Sequence, residues 1–517
     1  GRLINDEQAD AIEALELQGV YLVQDSLRYY PRGDYLGQVL GFTGIDNQGL
    51  AGLELQYDEL LKAQQGSLKI PLDAKGNHVT LLQETYEASG SGMDLSLTID
   101  ANIQDIMERE MRNLMKRDKP QRALALAMDP NTGAILGMVS QPGFDPNHYD
   151  EYEQETINQN LPVWMSYEPG STFKSVTFAS ALELDLFDMF TDTYNDRGYE
   201  IVGGARIKSW RAGGHGLQTF LQVLENSSNP GFVEISRRMG TERLYEYVKK
   251  FGFGEKTGVD LPGESAGIMF DLEEMGELET ATVAFGQGLA VTPIQLVTAF
   301  SAIVNGGTLY TPYITQSFSD PISKDVIVQS EPAAKRRVIS EETSEKMRYA
   351  LESVVANGGG RNAYIEGYRI GGKTGTAQKA VDGAYLPNEY ILSFLSAAPM
   401  EDPQIVLYVA VDAPQNDVQY GGTVVAPVVK AMYEDILPYL GIEKTDEQLP
   451  KKLVWPETEA IVTEDFIGKK RSEVQQEGVI FEFFGEGDMV IDQLPRGGVT
   501  LNESGRVWIY LGEDTFE

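Results

Sequence analysis

"SYEPGSTFKSVTFASALELD", residues 166–185, sets a Pro-Gly turn before a serine, a lysine three residues later, and an apolar run of helical length. In a helix, positions i and i+3 share a face, with Cβ atoms roughly 5–6 Å apart. Ser171 then stands in the first turn, where free backbone N–H groups and the helix dipole favour negative charge. A serine hydroxyl needs a base to become a nucleophile, and a neutral lysine can serve. Burial against Phe173 and Val176 lowers a lysine pKa, and a second cation nearby lowers it further. The pattern predicts Lys174 as the base of Ser171, kept dry by the helix that carries it.

Ser-x-x-Lys alone is a weak signal, since roughly one or two chance matches are expected in a chain of this length. Two more motifs follow in order: Ser227-Ser228-Asn229 in "ENSSNPG" and Lys373-Thr374-Gly375-Thr376 in "GGKTGTAQ". Ser-x-x-Lys, Ser-x-Asn and Lys-Thr-Gly together form the acyl-serine signature shared by penicillin-binding proteins and β-lactamases. Each residue type suits a role. Ser227 relays a proton between Lys174 and the leaving amine. Asn229 offers an amide to a peptide substrate. Lys373 supplies a fixed positive charge for a carboxylate and disfavours the proton on Lys174. Gly375 lets a substrate strand approach the backbone, and the Thr374 and Thr376 hydroxyls bind the terminal carboxylate. The N–H groups of Ser171 and Thr376 form an oxyanion hole, a device worth ~3–4 kcal/mol per donor. Read separately, "GGKTGTA" is a tight strand entry and "NSSNPG" a loop; the ordered trio is what argues for chemistry.

The chain has 517 residues, too many for one compact core. Its 78 acidic residues against 42 basic ones give a net charge of −36, a field that repels phosphate backbones and excludes nucleic acid as a partner. Acidity of this kind serves solubility or adaptation to salt. There is no cysteine, so no disulfide or thiolate chemistry, and His78, His148 and His215 show no metal-ligand spacing. Neither a metal nor a cofactor is expected, and His215 reads as a solvated loop residue. No run of 18 apolar residues appears, so the chain as written reads as a soluble protein. Its opening reads as the middle of a domain, which predicts further chain before it.

The organisation predicted is multidomain α+β. Residues 1–90 look like a scaffold, with a helix capped by Asn5, a helix through "LAGLELQYDELLKAQQG" closed by Gly66, and two strands across a Lys-Gly turn in "GSLKIPLDAKGNHVTLL". Residues 91–440 hold the motifs. There a strand leads into an amphipathic helix with Ile103, Ile106, Met107, Met111 and Leu114 on one face, capped by Asp100. A hairpin turns at Asp-Pro-Asn-Thr-Gly, and two helical stretches occupy residues 217–251. A buried helix has Thr292 as N-cap and Pro293 first, a surface helix covers "SEETSEKMRYALESVVANG", three antiparallel strands follow, and "PVVKAMYEDILPYLG" covers them as a helix. Residues 441–456 read as a linker. Residues 457–517 read as a small α/β module with one short helix ("FIGKKRSEVQQEG") and strands "VIFEFF" and "VWIYLG".

With these residues in hand, the chain resembles a class B penicillin-binding protein, a monofunctional D,D-transpeptidase of peptidoglycan synthesis. "YEPGSTFK", "AFGQGLAVTPIQ" and "IGGKTGTAQK" match characteristic stretches of that family, and 56 residues from Ser171 to Ser227 and 146 from Ser227 to Lys373 are similar to its spacing. The first 90 residues resemble its pedestal, or dimerisation, domain, and the tail resembles one PASTA module, in a sporulation-type or division-type branch. The resemblance implies a transpeptidase domain built of an antiparallel sheet flanked by helices plus an all-helical part. It implies stem peptides of lipid II-derived glycan strands as substrates and β-lactam antibiotics as inhibitors. It further implies a single membrane-spanning anchor outside this chain, a place on the outer face of the bacterial cell membrane, and a pedestal that meets a membrane glycosyltransferase and division or sporulation proteins. Two other readings stand beside it: a β-lactamase or D,D-carboxypeptidase on the same scaffold, and a wall-assembly scaffold whose pedestal and tail matter more than its site.

Overall fold

The computed structural model describes residues 4–22, 27–62, 67–69, 85–87, 91–381, 384–416, 418–452, 461–476, 479–501 and 506–513. The chain forms two compact units, residues 1–451 and 452–517.

The first unit is organised by a five-stranded antiparallel sheet in the spatial order Gly371–Val381, Ala384–Ala398, Ile405–Asp412, Arg122–Met128, Ile135–Gln141. Strands alternate faces with period two, so one apolar strand can feed two cores. Here Leu124, Leu126, Met128 and Tyr408 join a core shared with the helical region, while Ala123, Ala125, Ala127, Leu407 and Val409 join a second core on the other face. Helices Ala101–Asp118 and Ala426–Tyr439 cover that second face, as expected from the sequence. Asp100 caps the first of them through the N–H groups of Asn102 and Ile103, and Ile103, Met107, Met111 and Leu114 are buried, with Ile106 at the margin. Across the sheet lies helix Pro293–Val304, entirely buried and opened by a Thr292–Gln295 capping box. It packs with helix Lys174–Glu183, which is buried along nearly its whole length.

Three expectations need correction here, and one falls outside the described residues. The helix Glu341–Asn357 is no surface element: Met347, Ala350, Leu351, Val354 and Val355 are buried, and its inner face lies against the sheet's edge strand. The stretch after Leu50 breaks into two short helices, Gly52–Gln56 and Asp58–Leu61, because Tyr57 leaves helical geometry (φ −120°, ψ 24°), and its hydroxyl bonds Asp260. Gly66 lies outside the described residues, as do the Lys-Gly turn and the strand expected after it; the strands described there are Ser67–Lys69 and Thr85–Glu87, paired antiparallel. Residues 217–251 hold three helices, Phe220–Glu225, Asn229–Met239 and Thr241–Lys250. Beyond the last sheet-covering helix, residues 441–451 are fastened to the first unit: Gln448 Nε2 donates to the Ile365 and Tyr368 carbonyls, and the Leu449 N–H donates to Glu352.

In the second unit, strands Ile480–Phe484, Arg506–Gly512 and Met489–Leu494 form a sheet with Arg506–Gly512 in the middle, over a core of Phe466, Val490, Val507, Ile509 and Leu511. The helix expected over "FIGKKRSEVQQEG" is instead a single 3₁₀ turn, Arg471–Glu473, among the described residues. Gly468 takes φ +79° and Phe466 is drawn fully into the core, so the first three residues of that stretch are not helical. No helix among the described residues is long and apolar enough to cross a membrane.

Candidate active site

The nucleophile segment starts as a 3₁₀ turn, Gly170–Phe173, and becomes α-helical at Lys174. A 3₁₀ turn eclipses positions i and i+3, so Ser171 and Lys174 fall in line. Ser171 keeps partial solvent access, whereas Lys174 is fully buried, with Nζ 5.2 Å from the centroid of the Phe232 ring. Gly170 anchors the turn: its N–H donates to the Gly286 carbonyl at 2.9 Å, and a Cβ on Gly286 would lie 2.1 Å from the Gly170 carbonyl oxygen. On the other side, a Cβ on Gly170 would sit 3.2 Å from Ala377 Cβ and 3.4 Å from the Thr376 carbonyl oxygen. The turn is thus wedged between the "FGQG" loop and the sheet's edge strand.

Ser227 is delivered by a tight join between two helices. Phe220–Glu225 ends, Ser227 adopts φ +53°, and Ser228 caps helix Asn229–Met239 by accepting from the Gly231 N–H while donating to buried Asp196 at 2.8 Å. A left-handed non-glycine residue costs on the order of 1–3 kcal/mol and persists only where its surroundings enforce it. The outcome is a hydroxyl aimed at both lysines.

Lys174 Nζ donates to the Ser227 carbonyl at 2.8 Å, to Ser227 Oγ at 3.1 Å and to Asn229 Oδ1 at 2.7 Å. Lys373 Nζ, also buried, lies 3.0 Å from Ser227 Oγ and 3.1 Å from the Thr374 carbonyl. Burial holds the Lys174 ammonium well below the usual lysine range, and the Lys373 charge lowers it further. Burial alone pushes Lys373 down to about 7. Lys373 is therefore less of a fixed charge than its residue type suggests, and a substrate carboxylate beside it would restore the proton. Asn229 differs from expectation too: its Oδ1 is spent on Lys174, which leaves the Nδ2 donor for a ligand.

Gly375 is needed for a reason not visible in the sequence. A Cβ there would lie 2.4 Å from Ser393 Oγ, 3.0 Å from Thr172 Cγ2 and 3.4 Å from the Pro169 carbonyl oxygen. The missing side chain leaves room for the protein's own turn and for Ser393 against the strand. Thr374 and Thr376 fall on the opposite, partly exposed face of that strand. There Thr376 Oγ1 accepts from the Gly421 N–H at 3.3 Å, and a Cβ on Gly359 would come within 3.2 Å of Thr374 Oγ1. Sequence reasoning missed this Gly421–Gly422 segment; the Gly-Gly pair before an apolar helix was its only signal. It also missed Glu168 and Tyr385, which meet beside the nucleophile turn. His215, expected to be solvated, is half-buried with its ring centroid 5.3 Å from that of Trp210, and burial lowers its pKa. No group of histidine, aspartate and glutamate side chains suited to a metal ion occurs among the described residues.

Three segments distant in sequence thus meet around one hydroxyl. The penicillin-binding protein transpeptidase domain family matches residues 123–434, and the penicillin-binding protein dimerisation domain family matches residues 1–97. The chain belongs to the class B penicillin-binding proteins. It is 50% identical over 516 residues to stage V sporulation protein D of Bacillus subtilis, covering 99% of this chain and 80% of that protein. It is 33% identical over 448 residues to the peptidoglycan D,D-transpeptidase FtsI of Escherichia coli, covering 86% of this chain and 72% of that one. Among solved structures, penicillin-binding protein 3 of Mycobacterium tuberculosis in complex with ampicillin superposes with a TM-score of 0.74 at 27% identity, covering 82% of this chain and 92% of that chain.

Proposed function

We propose that this chain cross-links peptidoglycan stem peptides as a D,D-transpeptidase through an acyl-enzyme on Ser171. The observation that carries the reading is the pair of buried lysines converging on Ser227 Oγ. Neutral Lys174 takes the proton as Ser171 Oγ attacks the carbonyl of the penultimate D-Ala. The N–H groups of Ser171 and Thr376 stabilise the oxyanion. Ser227 passes the proton to the departing amine, the C–N bond breaks and D-Ala leaves. An amine of a second stem peptide then attacks the ester, gives up its proton through the same groups, and frees Ser171. Lys373, Thr374 and Thr376 hold the terminal carboxylate, and the Asn229 amide orients the peptide.

The relatives' names support wall synthesis in sporulation or division, and we place this chain in spore cortex or septal wall assembly. The same reading gives residues 1–90 to a pedestal that meets a membrane glycosyltransferase and division or sporulation proteins. It gives residues 91–440 to catalysis, 441–456 to a linker whose first part, residues 441–451, is fastened to the first unit, and 457–517 to a PASTA-type module. A single membrane anchor outside this chain would hold the site on the outer face of the cell membrane. Fluorescent penicillin should label the protein on Ser171, located by mass spectrometry of the acylated peptide, and the adduct should be long-lived. Labelling of Ser171→Ala at the wild-type rate overturns the assignment, and rapid turnover of penicillin favours a hydrolase instead.

A further inference from the structure

Glu168 lies three residues before Ser171, and its carboxylate ties three segments together. The Gly288 N–H donates to Oε1 at 2.8 Å, and the Tyr385 hydroxyl is 3.2 Å from Oε1 and 3.0 Å from Oε2. Gly288 belongs to the loop whose Gly286 carbonyl receives the Gly170 N–H. Tyr385 stands on strand Ala384–Ala398 opposite Ala380 of the edge strand, four residues beyond Thr376. No cation pairs with Glu168 among the described residues, so its charge is met by two hydrogen-bond donors, each from a different wall of the site. Pro169, with φ fixed near −65°, couples that carboxylate to the turn. Tyr385 remains 48% exposed, so the bond to Glu168 is not forced by core packing.

We infer that Glu168 and Tyr385 are positioning residues for acyl transfer: the Glu168 carboxylate clasps strand Ala384–Ala398, with its partner Gly371–Val381, onto the nucleophile turn and so fixes the separation between Ser171 and the Thr376 N–H. The clasp touches neither substrate nor proton. It sets the register of the two halves of the oxyanion hole, where small misplacements are expensive. Burial and the Glu168 charge push the Tyr385 phenol up to about 12, so it stays a donor across the working range.

This inference rests on the acyl-serine reading, and the test keeps the two apart. Stopped-flow acylation of the full chain by a fluorescent penicillin yields the dissociation constant of the non-covalent complex and the first-order acylation constant. For Tyr385→Phe the acylation constant should fall about tenfold, the effect of roughly 1.4 kcal/mol in the barrier, with the dissociation constant and Tm unchanged. Glu168→Ala should lose more, and Glu168→Gln, which keeps an acceptor oxygen, should recover part of that loss. A Tyr385→Phe acylation constant equal to wild type overturns the clasp, as does a loss confined to binding or one that tracks a fall in Tm. Failure of the wild-type chain to acylate at all overturns the underlying reading instead.

Discussion

Lys174 and Lys373 reach the same hydroxyl, Ser227 Oγ, at 3.1 and 3.0 Å. Two ammonium groups this close in a dry pocket cannot both hold a full charge cheaply, and the protons of the pair titrate together. The consequences are measurable.

Acylation should follow a bell-shaped pH profile in kcat/KM. The acid limb reports Lys174, which must lose its proton to act as base, and that limb lies far below the usual lysine range because burial and Lys373 both oppose its charge. The alkaline limb reports Lys373, whose free-site value is about 7 and whose charge holds the substrate carboxylate. A bound carboxylate favours the charged form, so the same limb should move upward in the profile of kcat. Lys373→Arg, with a guanidinium that stays protonated, should abolish the alkaline limb. A limb that survives in that variant refutes the assignment.

Lys373→Met should acylate poorly yet melt higher. The folded-state value of Lys373 is depressed to about 7, so between about 7 and the unfolded lysine value the unfolded chain binds more protons than the native one. That linkage disfavours the folded state fully at and below neutral pH, fades as pH rises above about 7 and is gone by the ordinary lysine range. Removing the amine removes it, a gain of at most roughly 1.4 kcal/mol for each tenfold loss of proton affinity on folding. Thermal melts at neutral and alkaline pH should show a gain that shrinks with pH; a destabilised variant at neutral pH contradicts this.

Ser227 separates strain from chemistry. Ser227→Gly should stabilise the chain by about 1 kcal/mol by relieving φ +53°, while Ser227→Ala should not. Both lose the relay hydroxyl and should slow acylation by roughly 10²–10⁴-fold. Equal melting temperatures for the two variants would show that the join carries no strain.

Gly375→Ala should cost about 1–3 kcal/mol, the usual range for overpacking, because its Cβ would meet Ser393 Oγ at 2.4 Å. Ser393→Ala in the same chain should restore part of the stability and of the acylation rate. If the double variant shows no coupling, the two residues do not press on one another.

The three motifs were legible because each needs a fixed residue type at fixed local spacing. Capping residues were legible for the same reason: Asn5, Asp100 and Thr292 each satisfy orphan N–H groups within one turn. Apolar runs punctuated by turn residues also declared the strands of residues 122–141 and 371–412, though not that the two groups share one sheet. The failures have a common cause. The pattern of Glu341–Asn357 could not reveal that its apolar side is covered by the edge strand. The break at Tyr57 depends on Asp260, some two hundred positions away. In the tail, Phe466 enters a core that only the later strands complete, which the local pattern of that stretch could not show.

By itself the sequence carried the three motifs, their order and a candidate nucleophile with a lysine one turn on, since residue type and helical spacing are local properties. Only the tertiary structure decided that Asn229 is bound to Lys174, that Lys373 titrates near neutrality and that Gly375 yields space to the protein's own turn. Those properties arise from desolvation and close approach between distant segments, and burial belongs to no residue until the chain has folded around it.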